Sequence, residues 1–298
     1  MMQGPQARLL PDGSRLHLNH GPIDLIVEAF GPAAIRAAAY ERATRRFANI
    51  LEELVADLRE LRRPAGPVPR PFSGPVAQRM ERAVVPLSAA FVTPMAAVAG
   101  SVADEMLAAL LGGDGIAKAY VNNGGDVALH LAPGEKLDAA IAGTGHGLAD
   151  RVCIHAADGI GGMATSGWRG RSHSLGIADA VTVLARTAAE ADAAATLIAN
   201  AIDLPGHAAI ERVPANTLSP DSDLGGRLVT CGVSAISPTE AAAALHSGLA
   251  VADQFRRKGL IAAAALFLQG QHRHCGAIDL AATAPEAEHA IRKERRHA

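Results

Sequence analysis

Aromatic residues are scarce, at 3% of 298 residues. The core must therefore be built from Ala, Val, Leu and Ile, and the stacking platforms of single-strand nucleic-acid binders are not expected. Basic charge is not in excess either. With 28 Lys and Arg against 30 Asp and Glu, the formal net charge of −2 lacks the footprint of a nucleic-acid surface. Cysteine is limited to Cys153, Cys231 and Cys275. Their odd number and wide spacing offer neither a zinc site nor a disulfide framework, which fits a reducing cytoplasm. The longest apolar run, Leu260 to Leu268, is too short for a membrane span. Met1 to Ser14 shows no basic segment followed by an apolar one, so no secretory signal is read there. The expectation is a cytoplasmic protein with neither a nucleic-acid nor a membrane partner.

What is present is a chain 49% hydrophobic and 19% charged, sized for one large domain or two intimately packed ones. Arg15 to His20 and Ile23 to Phe30 read as strands, and Ala33 to Arg62 as one long amphipathic helix. Arg63 to Pro75 contains five prolines and two glycines, and reads as a surface connector. Pro94 to Leu111 is predicted as a buried helix. Ala117 to Val121 and Val127 to Leu131 are predicted as strands around an Asn122–Asp126 turn. Leu137–Ala142, Val152–Ala156, Ala180–Ala185, Leu228–Ser234 and Leu260–Gln269 read as further strands. Ala188–Ala201 and Pro238–Lys258 read as helices. Strands cluster without strict helix alternation, so the fold class is α+β, a mixed sheet with packed helices. The expected division is 1–75 as hairpin, helix and connector, 76–283 as the core, and 284–298 as a charged tail.

Several motifs carry potential chemistry, each with a plainer alternative. Asn123-Gly124-Gly125-Asp126 lets backbone amides approach a ligand, or is simply a hairpin turn. Thr165-Ser166-Gly167, followed by Arg169, Arg171 and His173, suits an anion nest with a proton acceptor, or is an ordinary polar loop. Asp192 and Thr196 stand four apart in an alanine-rich helix, where both oxygens share one face and can converge on a hard cation. The alternative is solvation, with the threonine bonding back to a carbonyl. Trp168 either packs on a bound ring or covers its loop. His272, His274 and Cys275 suggest either a metal site or, with no second ligand cluster beside them, a polar loop end, and His146 reads as loop polarity.

Taken in order, the motifs resemble the ApbE-type flavin transferases, which move FMN from FAD onto a protein threonine or serine using magnesium. The ordered set is Ala99, Gly100, Ala103 and Asp104, then Asn123 to Asp126, then Ala164 to Gly167. Ser172-His173, Val181 to Val183 and Glu190 to Thr196 follow. The resemblance covers about Pro94 to Asn200. It implies an ApbE-like, T-fold-related architecture with FAD or FMN and Mg²⁺ as ligands. Asn123, Gly124, Gly125 and Asp126 would line the nucleotide cleft. Thr165, Ser166, Gly167 and Arg171 would lie by the phosphates, Asp192 and Thr196 would hold magnesium, and His173 would be the catalytic histidine. The family's Asp-Pro-x-Thr-Gly loop is missing after His173, and its lysine is missing from Ala97–Gly100.

Three readings follow. One is FMN transfer to an acceptor protein or cleavage of the FAD pyrophosphate. Another is binding of a flavin or other anionic small molecule without turnover. The third is a fold whose site has decayed. A homo-oligomer is left open, since core packing explains the apolar faces of Leu245–Phe255 and the N-terminal helix equally well.

Overall fold

Alternation in Ile23–Phe30 places Ile23, Leu25, Val27 and Ala29 on one buried face, the period of a strand covered on one side. The computed structural model describes residues 4–141, 150–277 and 280–282. Strands β1 (Gln6–Leu9), β2 (Leu16–His20) and β3 (Ile23–Phe30) come first, then helices α1 (Ala33–Phe47), α2 (Ile50–Leu61) and α3 (Pro75–Val84). A 3-10 turn, Pro94–Ala97, leads into α4 (Val98–Leu110). Next are β4 (Lys118–Asn123), β5 (Asp126–Leu131), β6 (Lys136–Ala140), β7 (Asp150–His155), β8 (Gly162–Ser166) and β9 (Ala180–Ala185). After α5 (Ala188–Ala201) come β10 (Ile210–Pro214), α6 (Ala215–Leu218) and β11 (Leu228–Val233). The order closes with α7 (Pro238–Arg257), β12 (Ala263–Leu268), β13 (Gln271–Cys275) and β14 (Leu280–Ala282).

The architecture is α+β. Nine antiparallel strands form the main sheet in the order β1-β2-β3-β4-β5-β8-β9-β12-β13. Residues 1–75 contribute β1 to β3 to this same sheet, joined to β4 by the register Val27 against Val121. Helices α4, α5 and α7 pack on one face. On the other, Val127, Leu129, Met163 and Leu184 meet Val152 and Ile154 of a small sheet ordered β14-β7-β6. Cover on both faces explains why β9 and β12 are buried along their whole length and read as continuous apolar runs. Leu245, Ala252 and Phe255 of α7 belong to the core.

The α4–α5 crossing positions the candidate site. A Cβ on Gly100 would lie 2.3 Å from the Ala188 carbonyl oxygen, so only glycine allows this approach. The buried side of the crossing is closed by Asp104. Its carboxylate accepts from the N–H groups of Ala188 and Ala189 at 3.0 and 2.9 Å, satisfying donors that the first turn of α5 leaves free.

Four sequence expectations change. The helix expected over Ala33–Arg62 is two helices, broken at Ala48-Asn49. Phe47, Ile50 and Leu54 keep the helical spacing across the break, so periodicity does not register it. Pro75–Val84, to which the sequence assigned no element, forms α3, started by a proline at its first position. The loop expected over Ala164–Gly167 is instead the end of β8, paired with β9 through Thr165–Thr182 and Ser166–Val181. The turn expected over Asn122–Asp126 narrows to Gly124-Gly125, because Asn123 and Asp126 pair as the last rung of the hairpin. The glycine loop with His146 and the tail from Ala284 lie outside the described residues.

Candidate functional site

The first turn of α4 and the middle of α5 meet at Asp192. Its Oδ2 accepts from the Gly100 N–H at 3.0 Å, so the positive end of α4 is directed at a carboxylate. One helical turn later Thr196 lies on the same face, and both residues line a cavity of about 390 Å³. Asp126 enters it from the start of β5, and Ser166 from the end of β8. Arg171, Ser172 and His173 descend from the β8–β9 connection, and Arg62 closes one side from the end of α2.

Burial sets the electrostatics. Removal from water pushes the Asp126 carboxyl up to about 7, against the Thr165 N–H bond and the Arg171 charge, which pull it down. Asp192 is raised well above the ordinary carboxylate range, first by burial and then by the charge of Asp126. The Gly100 and Ala99 N–H groups oppose this. Asp104, behind the crossing, is pushed by burial up to about 6. Two carboxylates thus face one cavity in an environment that disfavours their charge. A hard cation there would reverse that balance.

Not every expected residue reaches the cavity. Asp126, Ser166, Arg171, His173, Asp192 and Thr196 do. Gly124 and Gly125 line an adjoining hollow of about 280 Å³ with Asn122 and His17, and Arg171 borders both. Asn123 is buried, not cleft-lining. Its amide donates to the Ala99 carbonyl at 3.1 Å and fixes the start of α4 against the hairpin. Thr165 and Ser166 cannot form one nest, because consecutive strand residues point to opposite faces. Ser166 faces the cavity, whereas the Thr165 hydroxyl pairs with that of Thr182 at 2.8 Å and borders a hollow on the far side of the sheet. Gly167 serves packing, since a Cβ there would lie 2.3 Å from the Asp179 carbonyl oxygen. Trp168 carries the guanidinium of Arg169 over its ring, 4.9 Å from the centroid. His272 and His274 are exposed on β13, and no cluster of three or more His, Cys, Asp or Glu arranged to hold a metal occurs among the described residues.

One wall carries no sequence expectation. The segment between α6 and β11 brings Ser219, Asp221, Ser222 and Asp223 onto the cavity. The Thr93 hydroxyl donates to Asp223, tying this loop to the turn before α4. The Ser219 hydroxyl lies 3.2 Å from Nε2 of His173. In sequence the run Ser219-Pro220-Asp221-Ser222-Asp223 has only the composition of a turn, with nothing to connect it to residues far away in the chain.

A protein-family model described as "AbpE bacteria" matches residues 7–274. A UPF0280 protein of Methanopyrus kandleri is 40% identical over 125 residues, covering 42% of this chain and 48% of that protein. A UPF0280 protein of Methanothrix thermoacetophila is 39% identical over 129 residues, covering 43% and 52%. The chain spans about half the length of the curated relatives it matches. Among solved structures, the apo flavinyl transferase ApbE of Pseudomonas stutzeri superposes with a TM-score of 0.48 at 12% identity, over 92% of this chain and 96% of that one. The ApbE protein of Thermotoga maritima gives 0.43 at 13%, over 94% and 98%. Among the described residues, no helix is long and apolar enough to cross a membrane.

Proposed function

The chain belongs to the AbpE bacteria family, within the ApbE-like superfamily, and from that premise we propose that its α4–α5 cavity binds a flavin dinucleotide with a divalent cation and cleaves the pyrophosphate. The observation that carries this reading is convergence. Asp126, Asp192, Thr196, Arg171 and His173 come from three separate chain segments to one cavity.

The donor set fits magnesium. Asp192, Asp126 and the Thr196 hydroxyl are hard oxygen ligands, which Mg²⁺ takes together with water and substrate phosphate. The charge balance of the walls supports the same reading. The walls hold four carboxyls, Asp126, Asp192, Asp221 and Asp223, beside Arg62 and Arg171, and ionised Asp126 and Asp192 are compatible with a polyanionic ligand only if a cation lies between them. The bound cation would neutralise the pyrophosphate and polarise its phosphorus. Arg171 is placed to hold a phosphate oxygen, with the Ser166 hydroxyl as a second donor. His173 takes the proton from the attacking hydroxyl, the role of a general base lining the same cavity. In the superfamily reaction that hydroxyl belongs to an acceptor protein.

Isothermal calorimetry with FAD, FMN and ADP, each with and without Mg²⁺, tests the binding. Expected is Mg²⁺-dependent FAD binding, weakened at least about 10-fold by Asp192→Ala, the order expected when a cation site is lost. Chromatography of the same mixtures should show AMP appearing with wild-type protein and not with His173→Ala. An absence of FAD binding in every mixture would overturn the proposal.

A further inference from the structure

The hydroxyl facing the proposed base is not a water or a visitor but a side chain of this chain. Nε2 of His173 and Oγ of Ser219 are 3.2 Å apart, within the separation expected of a nucleophile and its general base. Both residues line the cavity that holds Asp126, Asp192 and Thr196. We propose that Ser219 is itself the acceptor of the flavin phosphoryl group, so that the chain forms a phosphodiester with FMN at Ser219. The inference rests on the dinucleotide-cleaving reading above, and names its acceptor.

The loop around Ser219 is built to hold that hydroxyl still. The Ser219 N–H donates to the Ala215 carbonyl at 2.9 Å, closing α6, and the Ser222 N–H donates back to the Ser219 carbonyl at 2.9 Å. Asp223 anchors the far end of the loop on the Thr93 hydroxyl. Ser219 is half-buried and lines the cavity. A fixed hydroxyl beside a fixed imidazole lowers the entropy cost of attack relative to a hydroxyl arriving on another protein.

Oγ of Ser219 forms a bond to the phosphorus bearing the riboflavin, and the bond from that phosphorus to the bridging oxygen breaks. The bridging oxygen keeps the electron pair and leaves as the phosphate of AMP. The Ser219 proton passes to Nε2 of His173. No redox change occurs, and FAD is the only co-reactant.

The test uses the full chain with FAD and Mg²⁺, quenched in acid and measured by intact-mass and peptide mass spectrometry. Expected is a mass gain of one FMN less one water on the peptide carrying Ser219, with one AMP released per chain. Ser219→Ala and His173→Ala should both lose the adduct, and Ser219→Thr should restore it. In the ligand-free protein, NMR of the His173 ring should show a shift in Ser219→Ala while the rest of the spectrum stays that of the folded wild type, which reports the pair independently of turnover. AMP release within twofold of wild type in Ser219→Ala, with no adduct on Ser219, overturns the inference and leaves the proposed function standing. Turnover lost in Ser219→Ala without an adduct in wild type also overturns it, and leaves Ser219 a positioning residue for His173. An unshifted His173 resonance overturns it as well. Failure of FAD to bind at all overturns both proposals.

Discussion

Asp126 should make the ligand-free protein less stable as the pH rises from 5 to 7, and replacing it by Asn should remove its share of that dependence. The folded protein holds its proton until about pH 7, whereas the unfolded chain releases it near the ordinary value of 3.8. Between those values the folded state binds more protons than the unfolded state, so stability falls with rising pH. Below 3.8 the contribution is fully present, and above 7 it is lost. At about 1.4 kcal/mol per pH unit, the interval from 5 to 7 costs about 3 kcal/mol. For a chain of this size that corresponds to a loss of roughly 5–10 °C in melting temperature. Asp192 shifts in the same direction and is held up partly by the charge of Asp126, so the substitution relieves it too. Thermal melts of wild type and Asp126→Asn across pH 5 to 8 measure the difference and cancel titrations common to both. Mg²⁺ at about 100 times its dissociation constant should return roughly 3 kcal/mol to wild type at pH 7.5, and little to the variant. Parallel pH curves for the two proteins would refute the reasoning.

Gly100→Ala drives a Cβ to within 2.5 Å of the Ala188 carbonyl carbon, and should cost about 1–3 kcal/mol by overpacking. A urea midpoint equal to wild type would count against the close α4–α5 crossing. Gly124 has φ +66° and its added Cβ would fall 1.8 Å from Nη2 of Arg171. Gly124→Ala should therefore displace that guanidinium and weaken ADP binding by about 10-fold or more, as loss of a charged hydrogen bond does. Calorimetry would contradict the placement if affinity were unchanged. Ser166→Ala should weaken FAD binding about 3- to 10-fold, whereas Thr165→Val should leave it within twofold and cost about 1 kcal/mol of stability through the orphaned Thr182 hydroxyl. The reverse ranking would mean the β8 faces are wrongly assigned.

Much of the ladder of elements was legible because its patterns are strong. Ala180–Ala185 is a short apolar run between polar turns, and it is β9 with those bounds. Ala188–Ala201 is α5, and its start is marked by Thr187, whose hydroxyl accepts from the Glu190 N–H. The pairing of Asp192 with Thr196 needed only the helical repeat. Where reading failed, the local signal was ambiguous. Thr165-Ser166-Gly167 has the composition of a loop, and only pairing with β9 makes it strand. The break at Asn49 leaves the apolar register intact, so the sequence pattern is the same with or without it.

By itself the sequence determined the α+β class, the order of most elements and the face shared by Asp192 and Thr196, because helix and strand periods are local properties of the chain. Only the tertiary structure decided which distant groups meet. It set Asp126 against Asp192, since the β4–β5 hairpin and α5 flank the start of α4. It turned Asn123 inward to the Ala99 carbonyl, and carried Ser219 to His173 across 46 residues. Those meetings depend on how closely α4 and α5 approach and on where the loop after α6 is tied. Both are set by packing, which local periodicity cannot encode.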